Sequence, residues 1–416
     1  MEFTKYAGDR KVVALAVIGA GLRGRTYAEL AVASGRARVV AVAEPDPDRR
    51  ESFVNTYGVK SVFTDWTELA AAGRTADAVV ITTQDRLHAD PAVAMAGLGY
   101  HLLLEKPMAP TEPEARRIAA AVEKAGVIGA VCHVLRYTRY SRALKQLLDE
   151  GRLGQVVSVQ HLEPVGWWHQ AHSFVRGNWR ATAESGPMLL TKSCHDLDWL
   201  AYIIGAAPSA VASFGGLQHF HPGNRPPGAS DRCLDCAVEP SCPYSAPRLY
   251  LGRLDEGRSG WPLTALTLEP TRESVLAALR DGPYGRCVYD CDNDVVDHQV
   301  VTMQYATGLT ATFTMTAFTP MQGRQTRVFG SHGYVEGDGN LLKITDFRTG
   351  VTSTIDTGST GSGHDGGDQG LVEAFLAAVA ADDPGLLSSD MATSLASHQV
   401  VWAAERARLS RSIVTL

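Results

Sequence analysis

A lysine at the end of an apolar run is the first residue of this 416-residue chain whose position suits catalysis. Lys106 follows the run 101–104 and Glu105, and Pro107 directly after it biases the lysine toward an extended backbone. A lysine there can reach into a cleft, donate a hydrogen bond to a substrate hydroxyl and stabilise the alkoxide that develops when the hydroxyl loses its proton. The alternative is a solvated surface lysine at a strand end.

A glycine-rich turn near the start indicates which chemistry this lysine would serve. Gly19, Gly21 and Gly24 form a GxGxxG pattern directly behind the apolar run 12–18. In a dinucleotide-binding turn the first glycine permits the tight turn, the second lets the backbone approach a pyrophosphate, and the third allows close helix–strand packing. The helix predicted over residues 22–34 directs its positive N-terminus at the phosphates. A plain glycine turn before a helix is the alternative for this motif alone.

An acidic residue at the end of the second apolar run favours NAD as the cofactor. Glu44 follows the run 39–43, where a carboxylate accepts hydrogen bonds from the adenosine ribose hydroxyls and repels a 2′-phosphate. NADP is therefore less favoured, although Arg49 and Arg50 close behind can weaken the preference. The predicted cofactor-binding residues are Gly19, Gly21, Leu22, Arg23, Gly24, Glu44, Thr82, Thr83, Gln84, His88, Glu105 and Lys106.

Strands and helices alternate through the first third of the chain. Apolar runs at 77–83, 101–104 and 127–134 predict strands, and helices are predicted over 90–98 and 112–125. This alternation is typical of a doubly wound parallel sheet, and the loop after residue 81 lies at the edge where a cofactor binds.

These features, with a later His195, resemble the Gfo/Idh/MocA family of oxidoreductases. The resemblance covers nearly the whole chain, and the triplet Glu105-Lys106-Pro107 is its most specific element. It implies an α/β Rossmann domain followed by an α+β domain with a large open, mainly antiparallel sheet. It further implies oxidation or reduction of a sugar or cyclitol hydroxyl with NAD or NADP, and homodimers or homotetramers formed through the exposed face of that sheet.

The segment around His195 matches the stretch that carries the family's acid/base histidine, and Asp198 matches the carboxylate that follows it. One position departs from the pattern. Many members have an aspartate four residues before the histidine, whereas this chain has Thr191 with Lys192 beside it. Lys192 can supply a charge instead, so Lys106, His195 and Lys192 are the predicted catalytic residues. The alternative for His195 is a buried histidine that caps the helix ending near residue 204.

The second domain shows period-two patterns and a tryptophan-rich segment. Strands are predicted over 155–162, 210–216, 295–305 and 309–318, the last two as a hairpin, and a final helix over 369–380. The segment 167–180 is predicted as a substrate-binding loop, with aromatic faces for a pyranose and arginines for an anionic substituent. A packed cover over the cleft is the alternative. The predicted substrate-binding residues are Arg136, Tyr137, Trp167, Trp168, His169, His172, Arg176, Trp179, Arg180 and His364.

Domain boundaries follow from these patterns, with a cofactor domain at 1–135 and a second domain at 136–416. The second domain carries a proline- and glycine-rich insertion at about 218–294 that holds most of the cysteines. Reduced, packed cysteines are the favoured interpretation, so no metal is predicted. A structural zinc on Cys233, Cys236, Cys242 and Cys287 is the alternative, because Cys-x2-Cys is a usable half-site.

Composition excludes several classes of function. The net charge is −6, and no lysine or arginine block stands out, so neither a nucleic acid nor a membrane is expected as a partner. Residues 1–10 show no apolar signal core, and no run approaches the roughly 20 residues that cross a bilayer. We therefore expect a cytoplasmic protein with a small-molecule partner.

Three functions are compatible with the sequence. The first is a sugar or cyclitol dehydrogenase that releases NADH. The second, which we favour, is an NAD-dependent glycosidase that oxidises its substrate transiently, usually at C3, as some relatives of the family do. An anionic glycoside such as a sulfoquinovoside is the specific expectation, because of the arginines at 176 and 180. The third is a binding protein that uses NAD as a sensed ligand.

Overall fold

The structure is a computed structural model that describes residues 12–358 and 364–416. The predictions for residues 1–10 and for the glycine-rich stretch 361–363 lie outside the described residues. No helix in the described ranges combines the length and the apolarity that crossing a bilayer requires.

The first sheet is the predicted doubly wound sheet, with six parallel strands in the order β3-β2-β1-β4-β5-β6. Its strands are β1 (Val13–Ile18), β2 (Ala37–Ala43), β3 (Ser61–Phe63), β4 (Ala78–Ile81), β5 (His101–Leu104) and β6 (Gly129–Val131). The helices between them are α1 (Leu22–Ala33), α2 (Pro47–Tyr57), α3 (Trp66–Ala71), α4 (Ala89–Gly97) and α5 (Glu112–Ala125). Strands β1 and β4 are buried along their whole length, as expected for a sheet covered on both faces.

The second sheet has nine strands, in which only the β7–β10 pair is parallel. In chain order they are β7 (Val156–Pro164), β8 (Ala210–Gly216), β9 (His298–Gln304), β10 (Thr310–Thr316), β11 (Gln325–Gly330), β12 (Gly333–Gly337), β13 (Leu341–Asp346), β14 (Thr352–Asp356) and β15 (Val414–Thr415). The accompanying helices are α6 (Arg139–Asp149), α7 (Trp167–His169), α8 (Thr182–Ser185), α9 (Met188–Thr191), α10 (Cys194–Ile204), α11 (Ala246–Asp255), α12 (Arg272–Asp281), α13 (Gly367–Ala381) and α14 (Met391–Ser410). Both the predicted fold class and the β9–β10 hairpin are confirmed.

Two helices near the C-terminus differ from the sequence prediction. The helix predicted over 369–380 is α13, but it is not the final helix, because the 20-residue α14 follows it. The buried face of α14 includes Ser394, Ser397 and His398, so the apolar period that would reveal it is interrupted. Although α13 comes after the second sheet in sequence, Leu371 and Phe375 pack into the apolar cluster of β1 and α1. It therefore completes one face of the first domain.

Candidate active site

The glycine turn has the shape that a dinucleotide requires. Gly19 has φ +93°, and a Cβ there would lie 2.8 Å from the carbonyl oxygen of Thr82. A Cβ on Gly24 would lie 2.1 Å from the carbonyl oxygen of Gly19, so both positions require glycine. Gly21 has no atom within 4 Å of the place a Cβ would take, and α1 begins directly after it, at Leu22. An open backbone at a helix N-terminus fits a pyrophosphate.

Glu44 lies beside this turn at the end of β2. Its Oε2 accepts a hydrogen bond from the backbone N–H of Ala20 at 2.7 Å, and its Oε1 accepts one from Asp46 at 3.0 Å. The carboxylate is therefore held in place at the edge where the ribose of a dinucleotide lies. Arg50 donates to the carbonyl oxygen of Glu44 at 2.5 Å, so its guanidinium is bound to the backbone.

The loop after β4 is tied to the lysine loop. His88 is fully buried, with Nε2 3.1 Å from the carbonyl oxygen of Thr83 and Nδ1 2.8 Å from that of Pro107. Thr82 Oγ1 donates to Gly19 at 2.7 Å, and Gln84 is exposed. His88, which was predicted to bind the cofactor, thus joins two loops of the protein through both ring nitrogens.

Arg23 and Glu105 form an ion-pair network, which the sequence did not suggest. Arg23 Nε lies 2.6 Å from Glu105 Oε1, and Arg23 Nη2 lies 2.5 Å from Asp368 Oδ1, at the start of α13. The other Glu105 oxygen accepts the backbone N–H of Lys106 at 2.5 Å. Burial alone would raise the pKa of Glu105, but Arg23 and Lys106 outweigh it and the pKa lies below its usual value. Arg23 therefore binds two carboxylates of the protein and fixes the start of the lysine loop.

Lys106 reaches across to the second domain. Its Nζ donates to the carbonyl oxygen of Thr191 at 2.7 Å, which places the ammonium at the end of α9, one turn before His195. The Oγ1 of Thr191 and the Nδ1 of His195 are both buried without a hydrogen-bond partner in the described part of the chain. Position 191 is the one at which the family resemblance led us to expect an aspartate.

His195 is buried and electrostatically disfavoured as a cation. Burial lowers the pKa of His195 well below its usual value, and the positive charge of Lys106 lowers it further. At neutral pH the imidazole of His195 is therefore neutral, which is the form in which a histidine acts as a base, while the same two effects oppose its protonation.

His364 comes to the same place from the C-terminal part of the chain. Its ring centroid lies 6.0 Å from that of His195, and its Nδ1 lies 2.8 Å from Asp368 Oδ2. Burial alone would raise the pKa of Asp368, but the hydrogen bond from His364 and the charges of His364 and Arg23 lower it. The site therefore contains a second imidazole with its own carboxylate.

Lys192 points to another part of the cleft, beside His169. Its Nζ pairs with Glu163 Oε1 at 3.0 Å, and Glu163 also pairs with Arg324 at 2.9 Å. Burial and the nearby charge of Lys192 lower the pKa of His169. Lys192, which was predicted to be catalytic, thus pairs with a carboxylate that the sequence analysis missed.

Asp85 is a further residue that the sequence analysis missed. It follows β4, and its Oδ2 accepts a hydrogen bond from the indole N–H of Trp179 at 3.0 Å. Burial raises the pKa of Asp85, which lies near Lys106 and His88. This hydrogen bond joins the two domains at the mouth of the cleft, where 37% of Trp179 is exposed. The loop position after a parallel strand was the available signal.

Arg136 and Tyr137 are engaged away from the cleft. Arg136 Nε lies 2.6 Å from Asp198 Oδ2, and its Nη1 donates to the carbonyl oxygen of Ser388 at 2.5 Å. The hydroxyl of Tyr137 lies 3.0 Å from that of Ser389. The family resemblance matched Asp198 to the carboxylate that follows the acid/base histidine. In the structure, Asp198 pairs with Arg136.

The segment 167–180 is not the loop that was predicted. Residues 167–169 form α7, residues 170–176 continue as a π-helix, and all seven π-helical residues are buried. His172 lies 2.8 Å from the hydroxyl of Tyr250 in the insertion, and the guanidinium of Arg253 lies 4.3 Å above the Trp168 ring. Part of this segment therefore packs under the insertion, while Trp167 keeps 39% of its surface exposed.

The two arginines predicted to bind an anion have partners within the protein. Arg176 is buried and donates to the carbonyl oxygens of Arg286 at 2.7 Å and Tyr244 at 2.9 Å. Arg180 pairs with Asp292 at 3.0 Å near the surface. The structure does not bring either guanidinium to His195.

The cysteines gather beneath Arg176 without forming a metal centre. Cys233, Cys236, Cys242 and Cys287 line a cavity of about 20 Å3. Arg176 Nη2 lies 3.4 Å from Cys233 Sγ. Within residues 12–358 and 364–416, no three His, Cys, Asp or Glu side chains are arranged to hold a metal ion. The zinc alternative therefore gains no support.

Two family profiles match this chain. Residues 13–133 match the Gfo/Idh/MocA profile described as "Oxidoreductase family, NAD-binding Rossmann fold". Residues 145–389 match the profile described as "Oxidoreductase family, C-terminal alpha/beta domain".

Individual relatives share only about a quarter of their residues with this chain, and only over part of its length. The oxidoreductase YteT of Bacillus subtilis (strain 168) is 26% identical over 270 residues, 63% of this chain and 60% of YteT. The 2,7-anhydro-N-acetylneuraminate hydratase of Escherichia coli (strain K12) is 24% identical over 261 residues, 62% of this chain and 66% of that enzyme. The matches thus span about two thirds or less of these relatives' length.

Solved structures share the fold. Levoglucosan dehydrogenase in complex with NADH and levoglucosan has a TM-score of 0.72 and 18% identity, covering 97% of this chain and 99% of that chain. At this identity the likeness concerns the fold alone.

Proposed function

The chain belongs to the Gfo/Idh/MocA oxidoreductase family, and on this premise we propose that it is an NAD-dependent enzyme that oxidises a ring hydroxyl carbon transiently, within a catalytic cycle. The proposed cycle consists of oxidation, elimination, hydration and reduction. Its substrate is a sugar glycoside or a related sugar with a cleavable C–O bond, and C3 is the proposed carbon.

The observation that carries this proposal is the meeting of three proton-handling side chains in one cleft. Lys106 binds the end of α9, His195 begins the helix that follows, and His364 lies 6.0 Å from His195 between ring centroids. Simple oxidation of a hydroxyl moves one proton, which one base and one stabilising cation can handle. A cycle with elimination and hydration moves a second proton and needs a further acid/base group.

The cofactor-facing residues fit NAD. The open backbone at Gly21 and the N-terminus of α1 would hold the pyrophosphate, and Glu44 would accept hydrogen bonds from the ribose. We favour NAD over NADP because a 2′-phosphate would meet the carboxylate of Glu44. When bound, the nicotinamide supplies a hydride acceptor for the substrate carbon and a hydride donor for its later reduction.

Lys106 and His195 have complementary roles at the hydroxyl oxygen. The neutral imidazole of His195 accepts the hydroxyl proton, and the ammonium of Lys106 stabilises the negative charge that develops on that oxygen. The bond from Lys106 Nζ to Thr191 holds this charge between the two domains.

A redox-neutral outcome is supported by one relative. The Escherichia coli protein is named a hydratase, and addition of water changes no net oxidation state, so a relative of this chain is named for a redox-neutral reaction. An ordinary dehydrogenase that releases NADH is the second candidate, because the matched family is described as an oxidoreductase family.

An anionic glycoside has less support as the proposed substrate than a neutral glycoside. Arg176 and Arg180 were the reason to expect a sulfoquinovoside, and both are bound within the protein. Lys192 and Arg324 are the cations nearer the cleft, and Glu163 pairs with both. We therefore propose a sugar glycoside and leave its charge to the assay.

The assay uses a panel of neutral and anionic 4-nitrophenyl glycosides with catalytic NAD, and follows nitrophenolate and NADH absorbance together. Release of nitrophenolate without net NADH is the expected result. Accumulation of NADH on the matching free sugars, with intact nitrophenyl glycosides, contradicts the cycle and favours the dehydrogenase. Sulfoquinovoside is included in the panel as the anionic member.

A second copy of the chain is the proposed macromolecular partner. One face of the second sheet exposes Phe214 and Val300, which are paired across β8 and β9. An apolar face of this kind is suited to a homodimer or homotetramer. Sedimentation equilibrium tests this, and a monomer at micromolar concentration contradicts it.

A further inference from the structure

The pair formed by His364 and Asp368 is not used by the proton transfers assigned to Lys106 and His195. His364 Nδ1 lies 2.8 Å from Asp368 Oδ2, and a third of the histidine side chain is exposed, 33%. The pair therefore lies at the open side of the site, beside a buried imidazole with which it makes no hydrogen bond in the described structure.

The partner of His364 determines which of its nitrogens can react. Because Asp368 is ionised, its oxygen can only accept, so the hydrogen between the two residues belongs to His364 Nδ1. The lone pair of the neutral imidazole is then on Nε2. This is the tautomer of a base whose orientation is set by a carboxylate.

Arg23 couples this pair to the lysine loop. Its Nη2 lies 2.5 Å from Asp368 Oδ1, and its Nε lies 2.6 Å from Glu105, which accepts the Lys106 N–H. One guanidinium thus holds both the carboxylate behind His364 and the carboxylate before Lys106. The two proton-handling groups are fixed relative to each other although they are 258 positions apart in the chain.

We propose that His364 is the second catalytic acid/base residue, acting on the carbon next to the one that is oxidised, with Asp368 and Arg23 as positioning residues. This inference rests on the proposed function, because only a cycle with elimination requires such a proton transfer. A centroid separation of 6.0 Å lets the two imidazoles address neighbouring carbons of one sugar ring.

The step balances with the cofactor in its reduced form. His364 Nε2 takes the proton from the carbon next to the ketone, and the C–H electron pair forms an enolate. The enolate electrons form the C=C bond as the C–O bond to the leaving group breaks. The proton on Nε2 passes to the leaving oxygen. Water then adds across the C=C bond, with its proton delivered through Nε2 to the same carbon.

The first test measures deuterium at the adjacent carbon. The enzyme, NAD and the 4-nitrophenyl glycoside that it cleaves are incubated in D2O, and the sugar is analysed by mass spectrometry. We expect one deuterium in the wild-type product. We expect His364→Gln to form NADH in a single turnover but to lose exchange and cleavage at least about 100-fold.

The outcomes separate the two proposals. If the wild-type product carries deuterium but His364→Gln reacts at the wild-type rate, the role of His364 is overturned and the proposed function is not. No deuterium in the wild-type product, or no glycoside cleaved, overturns the proposed function and with it this step. His298→Gln is the matched control, because His298 also lies 2.8 Å from an aspartate but outside the cleft, and its exchange rate should match the wild type.

The second test needs no substrate or cofactor. Histidine-selective 15N labelling of the full chain reports the tautomer of His364, whose signal is assigned by its loss in His364→Gln. We expect protonated Nδ1 and free Nε2. In Asp368→Asn the amide oxygen stays on Arg23, so the amide N–H2 faces His364 and the proton moves to Nε2. If the wild-type signal shows that Nε2 of His364 is protonated, the proposal that His364, paired with Asp368, acts as a base is overturned.

Discussion

Two regions of this molecule contain histidine and arginine side chains, but they use them differently. In the cleft, charged side chains face one another at the carboxyl ends of parallel strands, as Arg23 does with Glu105 and Asp368. Under the insertion, Arg176 and His172 face backbone carbonyls and a tyrosine hydroxyl. Residue types alone did not distinguish the two regions, whereas position relative to the sheet edge did.

The difference follows from which polar groups each region must leave free to bind a ligand. Under the insertion, the guanidinium of Arg176 donates to two carbonyl oxygens, while its Nη1 atom is buried without a partner among the described residues. In the cleft, the Nδ1 atom of His195 and the Oγ1 atom of Thr191 are likewise buried without partners in the described part of the chain, but they lie beside the ammonium of Lys106. Buried polar atoms that lack hydrogen-bond partners, next to an ammonium group, are typical of a site that binds or acts on a ligand.

The largest expected effect is on turnover in the cleft. Lys106→Ala removes the cation that stabilises the oxyanion, so we expect kcat to fall by about 10^2–10^4-fold. Fluorescence titration with NADH should show retained cofactor binding, since the glycine turn and Glu44 are untouched. Turnover within a factor of three of the wild type contradicts the assigned role.

The counterpart under the insertion should affect stability instead. Arg176→Ala leaves the carbonyl oxygens of Arg286 and Tyr244 without a donor and opens a cavity, so we expect a loss of about 3 kcal/mol in the free energy of unfolding. Urea unfolding measures this. KM for the active glycoside should not change in the folded protein, and a raised KM would return Arg176 to the substrate site.

Acid should weaken both regions in the same way. Burial, together with nearby positive charge, lowers the pKa of His172 to about 3, and burial likewise lowers that of His398 to about 3. Between pH 6.5 and 3 the unfolded histidines bind protons that the folded ones do not, so stability falls as the pH falls. Each contributes a slope of up to about 1.4 kcal/mol per pH unit. Urea unfolding at several pH values should show a flatter acid limb for His398→Gln.

The smallest effect should come from the exposed arginine of the same segment. Arg180→Ala breaks a surface pair with Asp292, which we expect to cost less than about 1 kcal/mol. Cleavage of neutral and anionic glycosides should also be unchanged. A selective loss for the anionic members would show that Arg180 leaves Asp292 to bind substrate, and would restore the sulfoquinovoside hypothesis.

Local patterns in the sequence were enough to predict the cofactor domain. The glycine spacing, the position of Glu44 and the strand–helix alternation each depend on residues close in the chain, and helix α5 begins and ends where it was predicted. Lys106 was placed correctly at the end of β5 for the same reason.

The remaining features depend on contacts between distant residues. Arg23 and Asp368 are 345 positions apart, and nothing near either residue indicates the other. The side on which Arg176 packs depends on a π-helix and on an insertion. The insertion has no periodic sequence pattern from which its fold could be predicted. Thr191, in contrast, was recognised as a departure, but the pairing of His364 with Asp368 near His195 was not predicted.

The position of α13 has a consequence for synthesis of the protein. Its apolar residues belong to the core of the first sheet, yet they are made roughly 230 positions after the last strand of that sheet. At a ribosomal rate of about 5–20 residues per second, one face of the cofactor domain waits roughly 10–50 seconds for its cover. During that interval the apolar surface that α13 covers in the folded protein stays exposed on the emerging chain.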